Sequence, residues 1–576
     1  GAVGMTYEMA GGGRAGLALA RPDGSVLTLA DRVARHLVAS LATVETAAAD
    51  APRLVADFVA ARAAAAAGPG ALWLWADDGG EARALADTLR LHGIEVRRLA
   101  AGARLTVRPI GGTGEVAPRA FDAGTWAVSA AQPLGRLARA LLDAESPMGE
   151  EFVARQRRRV EQDLDAAFYD VTAWSLPLAY DVPAWRAEAA AAAGVATVAA
   201  DAAAPAADLA PPPAEAVVGW LLPPAGLATY RVAARLQREG VRFRVALDAA
   251  TVGGRSYPPG TLFVPRLGNP AAADLVARLA AAEGQPALPA TTSYSSGGIS
   301  LGSPRMADVG RVRTGVIGGA GTRSTSFGAL WFLLDRQVEA RPTRLDAATL
   351  GAVDLAEFDV LVMPDGGGWD GALDEEAAAA LEAWMRGGGV LVGVGGAIDW
   401  LRARDLATVV EWQPEDAAGD PEAPAVAGGG AAAAPAPAAS AAAGDRPALD
   451  LARRPLDVPG AVLATSLAPG HPLAVGIGAP PPVLFNGSRP LVATGEPRVD
   501  VLTVAADEPV LAGFAWPESR ARLAGALLVA AEPVGRGRLV LFSQDPAFRG
   551  FWRGTFPLLL NAAIYGPALV AAGGGR

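Results

Sequence analysis

Chemistry in this chain must come from carboxylates, arginines, hydroxyls and three imidazoles, because the residue types that most often make covalent or thiolate chemistry are missing. Among its 576 residues there is no cysteine, and all 50 basic residues are arginine. Without Cys there is no thiol nucleophile, disulfide or thiolate metal site. Without Lys there is no Schiff-base site, Walker lysine or Ser-Lys dyad. His36, His92 and His471 are the only histidines, and none has a second His four residues on. No Gly-x-Ser-x-Gly elbow is present, and Ser324, Ser326 and Ser543 read as turn or cap residues. The candidate that remains is Glu8, in Gly1-Ala2-Val3-Gly4-Met5-Thr6-Tyr7-Glu8-Met9-Ala10-Gly11-Gly12-Gly13. It closes a short apolar stretch just ahead of a glycine cluster, a place where one fixed carboxylate can serve as a general base.

The elements that must position these groups follow from periodicity. Thr28 with Asp31 forms a capping box, and Leu29, Val33, Leu37, Leu41 and Val44 then share one helical face. This predicts an amphipathic helix packed against a sheet, with His36 beside the stripe in a structural or surface role. Helix continues over 50–67 and reaches Gly68-Pro69-Gly70. Strand, helix and strand are then expected over 72–76, 81–91 and 94–99, and again over 217–222, 226–238 and 241–247; the alternation implies parallel sheet. Gly93 to Arg97 matches Gly240 to Arg244, and Gly124 to Val128 matches Gly260 to Val264, so the unit is duplicated. The halves are joined by 152–213, whose aromatic run Phe168 to Pro177 reads as packing rather than a ligand groove.

A third unit starts with strand 314–317, the turn Gly318-Gly319-Ala320-Gly321-Thr322 and a helix over 326–334. The turn lacks the full dinucleotide spacing and no Lys follows, which argues against a nucleotide site. Strand 360–363, helix 374–386 and strand 390–397 come next. Residues 415–445, rich in Ala, Pro and Gly, read as a disordered insertion. Strands near Val462, Val483 and Leu491, at 501–504, 526–530 and 535–542, and a closing helix over 556–565 complete the chain. Trp552 and Arg549 are expected to clamp that helix.

Length predicts three or four domains. A net charge of -10 argues against a nucleic-acid partner. Arg155 to Arg159, flanked by Glu150, Glu151, Glu161 and Asp163, read as a solvated helix face. No apolar run is long enough, without charges or glycine breaks, to predict a membrane span.

Two family resemblances follow. The Thr-Tyr-Glu and glycine run resembles the last active-site strand of zinc carboxypeptidases of the carboxypeptidase A type. That implies Glu8 as the catalytic general base, a peptide substrate, and zinc in the complete protein. The family's zinc ligands all lie N-terminal to that glutamate, whereas the three histidines here follow it. The resemblance therefore implies no metal ligand and no cofactor in this chain, which alone would be inactive. It also implies a secreted or periplasmic protein.

The segment from Thr314 onward resembles class I glutamine amidotransferase-like domains. Their Gly-x-Cys-x-Gly elbow falls on Gly393-Val394-Gly395-Gly396-Ala397, placing Gly395, or Val394 with a one-residue slip, where the cysteine stands; His471 has no triad partner. The expected fold is α/β. A carboxypeptidase-like remnant spans 1–67, a duplicated α/β region 71–300, and a flavodoxin-like amidotransferase-type domain without its cysteine 312–570, with disorder over 413–448. Two functions follow: part of a metallocarboxypeptidase, or a non-enzymatic module binding a peptide, a glycan or a partner.

Overall fold

The computed structural model describes residues 4–8, 17–21, 23–68, 70–77, 79–112, 114–145, 148–162, 164, 166–168, 174–200, 217–269, 272–412, 456–487 and 490–573. The expected insertion at 413–448 and residues 169–173 of the aromatic bridge lie outside them. Residues 4–8 form no strand, contrary to expectation; a strand exists only through its pairing, and no described strand is paired with them.

Thr28 caps α1 (Leu29–Ala49). Its side chain accepts from the Asp31 N–H, while the Asp31 carboxylate accepts from the Thr28 N–H at 3.0 Å, so the capping box forms as predicted. After Asp50, α2 (Ala51–Ala66) begins with Pro in its first turn. Neither helix buries a single residue. The stripe of Leu29, Val33, Leu37, Leu41 and Val44 is 45–65% exposed, and no described sheet covers it.

Two sheets of the same plan follow. The first uses β1 (Leu72–Trp75), α3 (Gly80–Leu91), β2 (Arg97–Leu99), β3 (Trp126–Ser129), β4 (Ala184–Ala187) and β5 (Thr197–Ala199). The second uses β6 (Gly219–Leu222), α4 (Leu227–Arg238), β7 (Phe243–Ala246), β8 (Leu262–Pro265), β9 (Leu288–Ala290) and β10 (Met306–Val309). Their orders, β4-β1-β3-β2-β5 and β9-β6-β8-β7-β10, are identical, and a hairpin extends the first beyond β4. The parallel expectation needs correcting. β1 and β2 do run in one direction, but β3 lies between them, antiparallel to both, and β8 does the same between β6 and β7. The glycines that marked the repeat hold matching left-handed turns, with φ of 78° and 69° at Gly93 and Gly240, and 86° and 87° at Gly124 and Gly260.

The halves meet at helix N-termini. A Cβ on Gly80 would lie 3.0 Å from the backbone of Ala225. Glu81 reaches across, accepts from the Leu227 N–H at 3.1 Å to cap α4, and also pairs with Arg553.

The third sheet contains β11 (Thr314–Gly318), β12 (Thr343–Asp346), β13 (Val360–Met363), β14 (Val390–Val394), β15 (Leu527–Val534) and β16 (Gly537–Phe542). Its main order is β12-β11-β13-β14-β16-β15, parallel throughout except for β15, which runs antiparallel to β16. Numbered along the chain, the five parallel strands run 2-1-3-4-5, the doubly wound flavodoxin-type order. Runs such as Val360-Leu361-Val362-Met363 are buried on both faces, as strands covered by layers on either side must be.

The closing helix α5 (Phe556–Gly573) joins this sheet to the second one. Its fully buried Asn561 donates to the carbonyls of Leu473 and Val475, both at 2.8 Å, and accepts from the Tyr230 hydroxyl at 2.9 Å. Length and composition would let a helix spanning Arg553–Ala571 cross a membrane, but 72% of its apolar window is buried in protein, as befits a core helix.

Candidate functional site

In a doubly wound sheet, the crevice forms beyond the carboxyl ends of the strands, where the winding reverses. Here that point lies between β11 and β13. It is bounded by Gly319 to Arg323 after β11, by Asp365 to Gly368 after β13, by Gly395 and Gly396 after β14, and by Ser543 to Asp545 after β16.

The turn after β14 has the backbone of a nucleophile elbow. Gly395 sits at φ 54° and ψ -123°, between the end of the strand and a short helix that starts at Gly396. This identifies Gly395 rather than Val394 as the elbow residue, since Val394 still belongs to the strand. A side chain at Gly395 has no room: its Cβ would stand 2.5 Å from Asp365 Oδ1. That same oxygen accepts from the Gly396 N–H at 2.9 Å, the amide that an elbow of this kind offers to an oxyanion. Asp365 Oδ2 pairs with Arg323 Nε at 3.0 Å. One carboxylate thus fills the nucleophile position, holds the anion-binding amide and neutralises the nearby guanidinium.

The loops seal the remaining crevice backbone to backbone. A Cβ on Gly366 would lie 1.9 Å from the Gly321 carbonyl oxygen, and one on Gly396 would lie 2.2 Å from that of Gly366. Only glycine allows three loops to approach so closely. Ser326 ties the polar groups together by accepting from the Asp365 N–H at 3.1 Å and hydrogen-bonding the Asp545 carboxyl. Asp545 also accepts from the Ala547 N–H at 2.8 Å. Burial pushes its pKa up to about 6, helped by the charge of Asp365 and opposed by these hydrogen bonds. A small cavity of about 10 Å³, room for about one water molecule, lies beside it, lined in part by Val483, Phe542 and Trp552.

The other sequence candidates stand apart. Glu8 is exposed and outside any element, while the neighbouring Tyr7 hydroxyl hydrogen-bonds Thr43 of α1. His36 lies on α1. One His-x-x-Glu spacing does occur, at His92 and Glu95, but both residues are exposed, His92 caps the end of α3, and no third ligand joins them. His471 is buried at the opposite, amino edge of the sheet. Its Nδ1 accepts from the Leu473 N–H at 3.1 Å, its Nε2 lies 3.3 Å from the Arg498 carbonyl, and burial pushes its pKa down to about 4. Among the described residues no group of three or more His, Cys, Asp or Glu could hold a metal ion, so they do not fit the zinc that the peptidase resemblance implies. Trp552 is buried and donates to the Pro482 carbonyl at 3.0 Å, and the Arg549 guanidinium lies over the Phe548 ring at 4.9 Å, as packing groups do. Asp365, the residue that decides the site, carries no motif of its own; its only sequence signal is its place just after a buried strand and before three glycines.

Strand order and the turn after β14 define a flavodoxin-type α/β domain with its elbow closed. No family model matches the chain, and no curated protein matches it in sequence. Solved structures with some likeness include a ThuA-like protein from Bacteroides uniformis, at 13% identity and TM-score 0.24, covering 44% of this chain and 89% of that one. A second, from Parabacteroides merdae, has 14% identity and TM-score 0.27, covering 44% and 90%. PurLQS from Thermotoga maritima has 12% identity and TM-score 0.25, covering 43% and 96%. At these levels the likenesses carry no argument, and the fold assignment rests on strand order and direction.

Proposed function

We propose that this chain is a non-enzymatic α/β module that binds or scaffolds a partner. One observation carries the reading: the elbow at Gly395 keeps its backbone geometry, while the Asp365 carboxylate occupies the space and the amide that a nucleophile and its oxyanion would need. An intact frame around a filled site favours retention for binding and shape over turnover. The test is hydrolysis of peptide, amide and ester substrates by the chain alone, with and without added zinc. No turnover is expected; multiple turnovers that vanish on substituting Asp365 or Asp545 would overturn the reading.

A second reading, part of a metallocarboxypeptidase with Glu8 as general base, draws on the bare face of α1. Five Val and Leu side chains aligned on one helix and left in solvent are what a helix looks like without the layer it was patterned to meet. Covering them would stabilise the pair by roughly 1.5–3 kcal/mol per fully buried side chain. On this reading the zinc and its ligands belong to a unit seated on that face, and no catalytic step is drawn through residues described here. Zinc titration of the chain tests this second reading: a stoichiometric tight site within it would contradict the placement of the ligands elsewhere.

A further inference from the structure

The chain has three asparagines, Asn269, Asn486 and Asn561. An asparagine side chain can be attacked by the main-chain nitrogen of the next residue, which needs a loosely held amide, an unhindered nitrogen and water. Asn269 meets none of these needs. It is 6% exposed, and its Nδ2 donates to the carbonyls of Arg242 and Pro265, both at 2.8 Å. The next residue is Pro270, whose nitrogen carries no hydrogen. Asn561 is fully buried in α5, its amide fixed by the Leu473 and Val475 carbonyls, and Ala562 follows it within the helix.

Asn486 stands in a different setting. It is exposed, and its Nδ2 donates to the Pro459 carbonyl at 3.4 Å, a long hydrogen bond. Gly487 follows it and ends the strand Val483–Gly487, the outer strand of a three-stranded sheet. With φ at 123°, Gly487 has a conformation that suits glycine, and a Cβ built on it would meet nothing within 4 Å. An extended strand holds the Asn486 side chain away from the following nitrogen, so the strand end must open before attack. The pairing there is irregular: the register against the neighbouring strand Val458–Leu463 shifts between Val458 and Ala461, and Gly487 faces Val458 beyond that shift. Terminal pairs on an outer strand are the first to open.

We propose that Asn486 is a site of spontaneous deamidation. The Gly487 nitrogen gives up its proton to solvent and bonds to Asn486 Cγ. The Cγ–Nδ2 bond breaks, and Nδ2 takes up a proton and leaves as ammonia, closing a five-membered succinimide. Water then adds to either ring carbonyl. Breaking the bond from Cγ to the ring nitrogen gives aspartate; breaking the bond from the main-chain carbonyl carbon gives isoaspartate, with the main chain routed through the side chain. No atom changes oxidation state. Either product places a negative charge beside Gln544, whose Oε1 accepts from the Asn486 N–H at 3.0 Å. The chemistry involves neither Asp365 nor the elbow at Gly395.

Incubation of the full chain at 37 °C, at pH 6 and pH 9, tests it by peptide mass mapping and anion-exchange chromatography. At pH 9 the peptide carrying Asn486 should convert from amide to acid as two isomers, about tenfold or more faster than those carrying Asn269 and Asn561. Conversion should be slower at pH 6, because the attacking nitrogen must lose a proton. Gly487→Ala should slow it by about tenfold or more, since a methyl group crowds the nitrogen and disfavours the native φ. Should that variant fold poorly, Asn486→Gln, which would have to close a six-membered ring, should remove the acidic species from the elution profile. Lack of conversion at Asn486, conversion no faster than at Asn269 and Asn561, or a rate indifferent to pH or to both substitutions would each overturn the proposal.

Discussion

Replacing Asp545 by Asn should make the protein more stable at neutral pH, by an amount that depends on pH in a defined way. The carboxyl has an ordinary pKa of 3.8 in the unfolded chain and about 6 in the fold, where burial is the leading cause. Because the folded state holds its proton more tightly, this group's contribution to stability is fully present below pH 3.8. It is lost as pH rises through 6. The span corresponds to about 3 kcal/mol at most. Asn keeps an oxygen able to accept from the Ala547 N–H and carries no charge to desolvate. In urea unfolding at pH 4 to 8, the difference between Asp545→Asn and wild type should therefore climb in favour of the variant between pH 4 and 6, then level off above pH 6.5. His471 supplies the opposite slope, since its folded pKa falls from 6.5 to about 4 and its contribution is present above pH 6.5 and lost on acidification. The two largely offset each other in wild type, so the variant should also expose the histidine's slope. A difference that stays flat from pH 4 to 7, or a variant less stable at pH 7, would refute the claim that Asp545 is held largely by desolvation.

Three further outcomes follow from the same geometry. Glu81→Ala removes the cap of α4 and the partner of the partly buried Arg553, and should lower stability by about 1–3 kcal/mol in denaturant unfolding, against no more than about 1 kcal/mol for an exposed pair. In the Asp545→Asn background, where the histidine's slope is no longer offset, His471→Gln should abolish the loss of stability on acidification from pH 6.5 to 4, read from the same urea series. Val33→Ser with Leu37→Ser should leave the unfolding midpoint of this chain within about 0.5 kcal/mol of wild type, since both side chains are exposed. It should also weaken capture of any unit that docks on α1, which pull-down with a metal-bearing partner would read.

Much of the frame was legible because local rules write it. Thr28 and Asp31 announce their capping box, β13 and β14 are unbroken apolar runs, and paired glycines in left-handed turns betray the repeat. Strand partnership was less legible. Periodicity identifies β1 and β2 as strands joined by a helix, but only the fold shows β3 entering between them, since pairing is a long-range choice that no local pattern records. The site split in the same way. The empty elbow could be read from Gly393 to Ala397. Its occupant, Asp365, lies 30 residues earlier and becomes relevant only when the parallel register of β13 and β14 sets their ends side by side. The bare stripe on α1 is the converse case, an amphipathic pattern plain in sequence whose counterpart is not among the described residues.

The account turns on Asp365 standing where a side chain at Gly395 would have to go, and a double-substitution cycle measures that directly. Gly395→Ala alone should cost the backbone strain of a positive φ, about 1–3 kcal/mol, plus the displacement of Asp365 from Arg323 and the Gly396 amide. In an Asp365→Gly background only the strain remains, so the same change should cost about 1–3 kcal/mol less. Equal costs in both backgrounds would mean that the carboxylate does not fill the elbow, and the reading of a closed site would fail.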